Sequence, residues 1–161
     1  MHLFLVHHGV AVGPDEDARR PLSAVGLAGA ARVAALAAAK GAKPEVVWHS
    51  GKLRAKQTAQ EFWRACNALA EFAVSRDLQP DDPPQWMRDR LRGETRDIAI
   101  AGHFPYLPRL LALLVTGGNP GASIVTQGSS LAPHGFPING IVALVTDDEG
   151  ETWRELWRIS G

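Results

Sequence analysis

The chain has 161 residues, 45% apolar and 21% charged, which suits one globular domain spanning 1–161 with a substantial core. Lysine plus arginine and aspartate plus glutamate each total 17, so no chain-wide field favours nucleic acid or an anionic membrane surface as a partner. The single Cys66 excludes an intramolecular disulfide and a cysteine-rich zinc site. A lone thiol in an alanine-rich stretch reads as a packing residue and fits a reducing compartment. The apolar run at the N-terminus is too short for a signal peptide and no run approaches a membrane span, so the expected location is the cytoplasm.

Leu3-Phe4-Leu5-Val6 is a short, continuous apolar run, the pattern of a strand buried on both faces in a parallel sheet. A first strand is expected over residues 2–6, ending on His7-His8-Gly9. Val12 to Pro21, carrying Asp15, Glu16, Asp17, Arg19 and Arg20, reads as a polar loop. Ser23 can cap a helix that runs to about Lys40, where Gly41 supplies a left-handed stop. The alanines of that helix favour its formation but give little bulk for specific packing. Glu45 to Trp48 reads as a second strand. A second helix is expected from Leu53 to Ala70, with Ala55, Ala59, Phe62, Cys66 and Leu69 as one apolar stripe.

Phe72 to Val74 reads as a third strand leading into the loop Asp77 to Pro84, and Trp86 to Arg92 as a short helix. Asp97 to Ala101 is a buried strand ending at Gly102-His103. After Pro105 the spacing of Leu107, Leu110, Leu111 and Leu114 predicts a helix, terminated at Gly117-Gly118. Ser123 to Thr126, Gly140 to Thr146 and Thr152 to Ile159 read as strands, the last two joined in a hairpin by Asp147-Asp148-Glu149-Gly150. Trp153 and Trp157, four apart, are expected on one face of the last strand. The pattern predicts an α/β fold: a three-layer α/β/α sandwich whose central sheet is mostly parallel, with antiparallel C-terminal strands.

Three of these strands end on polar residues able to bind an anion: His7-His8-Gly9, His49-Ser50 followed by Lys52, Arg54 and Lys56, and Gly102-His103. Open α/β sheets gather such strand ends at one edge, and helix N-termini there add N–H donors for a phosphate. Without further support His2 and His49 read as structural histidines, His134 as a loop residue, and Lys52 and Lys56 as a solvated helix face.

Four blocks make the pattern specific. Leu5-Val6-His7-His8-Gly9 resembles the opening Leu-Val-Arg-His-Gly of the histidine phosphatase superfamily (phosphoglycerate-mutase-like). Asp17-Ala18-Arg19-Arg20-Pro21-Leu22-Ser23, with Gly26, is similar to a block of its short SixA-like phosphohistidine phosphatases. Ser50-Gly51-Lys52-Leu53-Arg54-Ala55-Lys56-Gln57-Thr58-Ala59 and Gly102-His103-Phe104-Pro105-Tyr106-Leu107 complete the set in order, within residues 3–117.

The resemblance implies that His8 is the nucleophile of a phosphatase and forms a phosphohistidine intermediate. It also implies that Arg54 and His103 hold the phosphoryl oxygens, with His7 and Gly9 lining the same phosphate site. Such chemistry needs His8 neutral, its attacking nitrogen bare and the other nitrogen bonded to an acceptor such as a backbone carbonyl. No metal or other cofactor enters the scheme. The implied partner is a phosphorylated substrate, a phosphohistidine-bearing protein or a small phosphorylated molecule.

Two positions depart from the family pattern. His7 stands in place of an arginine, which removes a permanent charge and a forked donor and lowers the expected activity. A bound dianion is expected to protonate His7, making kcat/KM lower at pH 8 than at pH 6, and His7→Arg is expected to raise activity. His7 can also be read as a replacement that points away from the phosphate. Val10 replaces an acidic residue, leaving Asp17, Asp81 and Asp82 as candidate general acids. A phosphoramidate would tolerate a weak acid better than a serine ester. Two rival readings remain: a non-catalytic phosphate- or phosphopeptide-binding module, and a metal hydrolase built from His7, His8, His103 and an aspartate. The second is disfavoured because neighbours on an extended strand point to opposite faces.

Overall fold

A computed structural model describes residues 1–117 and 135–161. The element order is β1 (His2–His7), α1 (Ala24–Ala39), β2 (Val46–His49), α2 (Leu53–Cys66), β3 (Glu71–Val74), a 3-10 turn at Arg76–Leu78, α3 (Pro84–Leu91), β4 (Ile98–Gly102), α4 (Tyr106–Thr116), β5 (Ile141–Val145) and β6 (Arg154–Ile159). The expected strand at Ser123 to Thr126, Gly118 of the helix terminator and His134 lie outside the described residues.

The strands form one sheet in the order β3-β2-β4-β1-β5-β6. β1, β2, β3 and β4 run parallel, whereas β5 pairs antiparallel with β1 and with β6. Alternation along β1 explains the layers. Leu3 and Leu5 join Met87 and Leu91 of α3 and the leucines of α4 on one face, while Phe4 and Val6 join Val33 and Ala37 of α1 and Phe62 of α2 on the other. Helices cover both faces, so every β1 residue from Leu3 to His7 is buried and the continuous apolar run is accounted for.

Local chemistry sets the helix ends. Ser23 caps α1 by accepting a bond from the Gly26 amide, and Gly41 follows at a φ of 85°. The buried positions of α1 are Gly26, Ala30, Val33, Ala34 and Ala37, so its small side chains let the helix lie close against its neighbours. α2 stops at Cys66, short of the expected Ala70. Asn67 turns the chain there, its Nδ2 donating to the carbonyl of Pro44 at 2.8 Å. Leu69 therefore leaves the apolar stripe and is 96% exposed.

The two C-terminal tryptophans also differ from expectation. Trp157 pairs with Ala143 but Glu155 pairs with Leu144, so Leu156 is an extra, bulged residue. The bulge reverses the alternation, placing Trp153 in the core under α3 and α4 and Trp157 against the opposite core. Among the described residues, no helix is long and apolar enough to cross a membrane.

Candidate active site

Strand register brings the three polar strand ends together. β2, β4 and β1 are adjacent, with His7 opposite Gly102 and His49 opposite Ala101. The chain leaves the sheet after His7, and the amide of His8 donates to the carbonyl of Gly102 at 3.2 Å. Gly9 then passes the first turn of α1 so closely that a Cβ on it would lie 2.7 Å from the carbonyl oxygen of Gly26. The contact is reciprocal, since a Cβ on Gly26 would lie 1.9 Å from the carbonyl oxygen of Val10.

Both nitrogens of His8 are assigned by their partners. Nδ1 donates to the carbonyl of Gly9 at 2.8 Å, because a carbonyl can only accept. Nε2 is then unprotonated and accepts from Nε of Arg54, the second residue of α2, at 3.2 Å. Thr58, one turn further along α2, accepts from the Gly9 amide at 3.0 Å and donates to the carbonyl of Arg54 at 2.8 Å. The Gly9 amide is thus committed to Thr58, and the Gly9 carbonyl holds His8.

His103 lies under the rim, 2% exposed, with its ring centroid 5.0 Å from that of His8. Its Nε2 bonds the hydroxyl of Ser50 at 2.6 Å, and its buried Nδ1 has no partner among the described residues. Gln79 donates to the carbonyl of Ser50, fastening the loop after β3 to this corner. At its N-terminus α2 has neither a side-chain cap nor an acidic residue in its first turn.

His7 is 8% exposed and stacks on Phe104 at 4.0 Å with an interplanar angle of 10°. Its ring centroid is 4.6 Å from that of His8, because β1 ends at His7 and the alternation of an extended strand no longer separates the two. The two rings therefore lie side by side rather than on opposite faces, contrary to the expectation from strand alternation. Among the described residues, no group of three or more His, Cys, Asp or Glu side chains is arranged to hold a metal ion.

Burial dominates the electrostatics. It lowers His7 to about 3, His8 to about 4 and His103 to about 3, helped by Arg54 in each case, by Arg20 at His8 and by Lys52 at His103. All three rings are neutral at pH 7 as the chain alone builds the site. Burial and Arg20 hold the pKa of Arg54 below its usual value as well. Arg54, Arg20 and Lys52 make the field around the three neutral rings cationic, which favours an anion.

Solved structures share the whole architecture. A protein histidine phosphatase SixA complexed with tungstate superposes with a TM-score of 0.77 at 23% identity, over 99% of this chain and 97% of that one. The histidine phosphatase fold is the fold of this chain. The SixA protein of Agrobacterium tumefaciens gives a TM-score of 0.72 at 20% identity over 99% and 97%, respectively. An ecdysone phosphate phosphatase from Bombix mori, also complexed with tungstate, gives 0.68 at 13% identity over 97% and 92%. No protein-family model matches the chain and no curated protein does.

On this histidine phosphatase fold the three candidate acids stand apart. Asp17 is half-buried, and Arg19 holds its carboxyl below the usual range by three hydrogen bonds, the wrong direction for a proton donor. Asp82 accepts from the amide of Gln79 at 2.7 Å, and Asp81 beside it is exposed. Among the described residues, no hydrogen bond joins any of the three to His8, Arg54 or His103. Three contributors were not singled out from the sequence, and a fourth, Ser50, was expected only as a strand-end residue able to bind an anion, not as the partner of His103. Thr58 lies inside a matched block, so its position was visible but not its partners. Arg20 also lies in a block, held at a φ of 50° with Nε on the carbonyl of Val12. Asn139 had no local signal, since its bonds to His7 and His8 span more than 130 residues.

Proposed function

We propose that the chain is a phosphatase that works through a phosphohistidine on His8. The observation that carries this reading is the pair of bonds on the His8 ring, which leaves the Nε2 lone pair as the only nucleophilic site and sets it against Arg54. Arg54 exchanges that lone pair for phosphoryl oxygens when substrate enters, and the ring of His103, whose centroid lies 5.0 Å from that of His8, supports another oxygen.

Nε2 attacks phosphorus, the bond to the leaving group breaks, and its electron pair departs with that group. Nδ1–H stays on the Gly9 carbonyl and stabilises the cationic phosphoimidazole. Water then attacks phosphorus, the P–Nε2 bond breaks, its electron pair returns to His8, and inorganic phosphate leaves. No metal or cofactor takes part in this scheme.

A phosphoramidate such as a phosphohistidine-bearing protein is the substrate class that suits the site. With its far ring nitrogen protonated, a phosphohistidine loses a neutral imidazole when the P–N bond breaks and needs no added proton, and no carboxylate among the described residues bonds to the catalytic groups to supply one. The likeness to SixA agrees with this choice.

Incubation with a labelled phosphodonor should give acid-labile, alkali-stable phosphate on the protein, and His8→Ala should abolish it. One observation favours a second reading, binding without turnover: a neutral His7 stands where the family pattern has an arginine. Tungstate binding with no trapped label in any phosphodonor tried would select that reading.

A further inference from the structure

The tautomers of the adjacent histidines are fixed in opposite senses. His8 donates through Nδ1, whereas Nδ1 of His7 accepts from the backbone amide of Asn139 at 2.8 Å. A backbone N–H can only donate, so Nδ1 of His7 is bare and its proton sits on Nε2. Asn139 is built for this contact: its φ of 50° is rare outside glycine, and its side chain donates to the carbonyl of His8 at 2.6 Å. One residue therefore clamps both histidines, and Phe104 closes the other side of the His7 ring.

We propose that His7 is a catalytic residue, a neutral Nε2–H donor to the transferring phosphoryl group, locked in that tautomer by the Asn139 amide. The proposal rests on the phosphatase reading above and replaces the expectation that a bound dianion protonates His7. A second proton would have to go onto Nδ1, against the Asn139 N–H. Burial opposes it too, and a proton on His7 would meet the neighbouring ring of His8 and the cation of Arg54 from α2. An arginine at this position has no acceptor for the Asn139 amide, so His7→Arg does not restore the family's pocket.

Asparagine and glutamine separate the two roles of the ring. The Oδ1 of His7→Asn reproduces the Nδ1 acceptor without the distal donor, and the amide of His7→Gln reproduces the distal donor without the acceptor. Titration with tungstate should show His7→Asn weakened about 10- to 100-fold and His7→Gln within a few-fold of the parent. The ratio of parent to His7→Asn affinity should be the same at pH 5.5 and pH 8. In the parent labelled with 15N-histidine, long-range NMR correlations should show Nδ1 of His7 unprotonated throughout that range, which decides the tautomer even if a variant fails to fold.

The reverse order of the variants would make His7 merely structural, and a ratio that grows at pH 5.5 would make it a cation; either overturns the proposal, as does a protonated Nδ1. A parent that does not bind tungstate overturns both this proposal and the phosphatase reading. Tungstate binding in the expected order without a trapped phosphohistidine overturns the reading and the catalytic role, and leaves His7 a donor to bound oxyanion.

Discussion

His8, Arg54, His103 and Ser50 each carry one hydrogen-bonding decision that the chemistry depends on. Ser50 is buried, and its hydroxyl is the only described partner of the His103 ring. Ser50→Ala should leave both nitrogens of that ring unpartnered and free to exchange tautomers. Tungstate affinity should fall about 5- to 10-fold, the value of one buried hydrogen bond, and Ser50→Thr should restore it. A role in packing alone would give the opposite result, with the alanine benign and the larger threonine harmful. His8 was legible as the nucleophile candidate because it sits in a matched block, and even its need for a carbonyl acceptor followed from the chemistry. The fate of the Gly9 amide was not legible, since Thr58 lies 49 residues further along the chain.

At the scale of elements, the tightest joint in the site is the crossing of the chain after β1 over the first turn of α1. Gly26→Ala would put a methyl group 1.9 Å from a backbone oxygen, where no flexible side chain can yield. Thermal unfolding should show a loss of about 1–3 kcal/mol or more, and the phosphohistidine yield on His8 should drop because the Gly9 carbonyl moves with the strain. Most elements were legible from periodicity: the run at β1, the leucines of α4 and the capping serine of α1 all appear where their spacing predicts. Two errors share a physical origin. Leu69 was placed on α2 because it fits the 3.6-residue period, but Asn67 ends the helix by reaching a carbonyl 23 residues back. Trp153 and Trp157 fit a period of two until one bulged residue between them breaks it. Both are tertiary events that no local window contains.

Across the described residues, the buried rings of His7, His49 and His103 and the half-buried ring of His8 are held below the ordinary histidine value, chiefly by loss of water around them. The unfolded chain takes up protons at each of them near pH 6.5, while the folded chain resists until about pH 3–4 at the three whose values are resolved. Their contribution is therefore complete above pH 6.5 and is lost as pH falls below it, at up to about 1.4 kcal/mol per pH unit for each ring. Urea midpoints should fall from pH 7 to pH 5, above the range in which Glu94 and Asp148, both lowered to about 2, begin to matter. A midpoint constant over that interval would contradict the buried, neutral state of the site. Tungstate should flatten the slope by favouring a proton on His103.

The bulge at Leu156 has a consequence beyond the two tryptophans. β6 is the outermost strand on its side, and an open strand edge invites a neighbouring chain to add to it and start an aggregate. The interrupted ladder, with Arg154, Glu155 and Arg158 along it, gives an incoming strand no continuous register to copy. The same extra residue that divides the tryptophans between two cores also makes this edge a poor template for fibril growth.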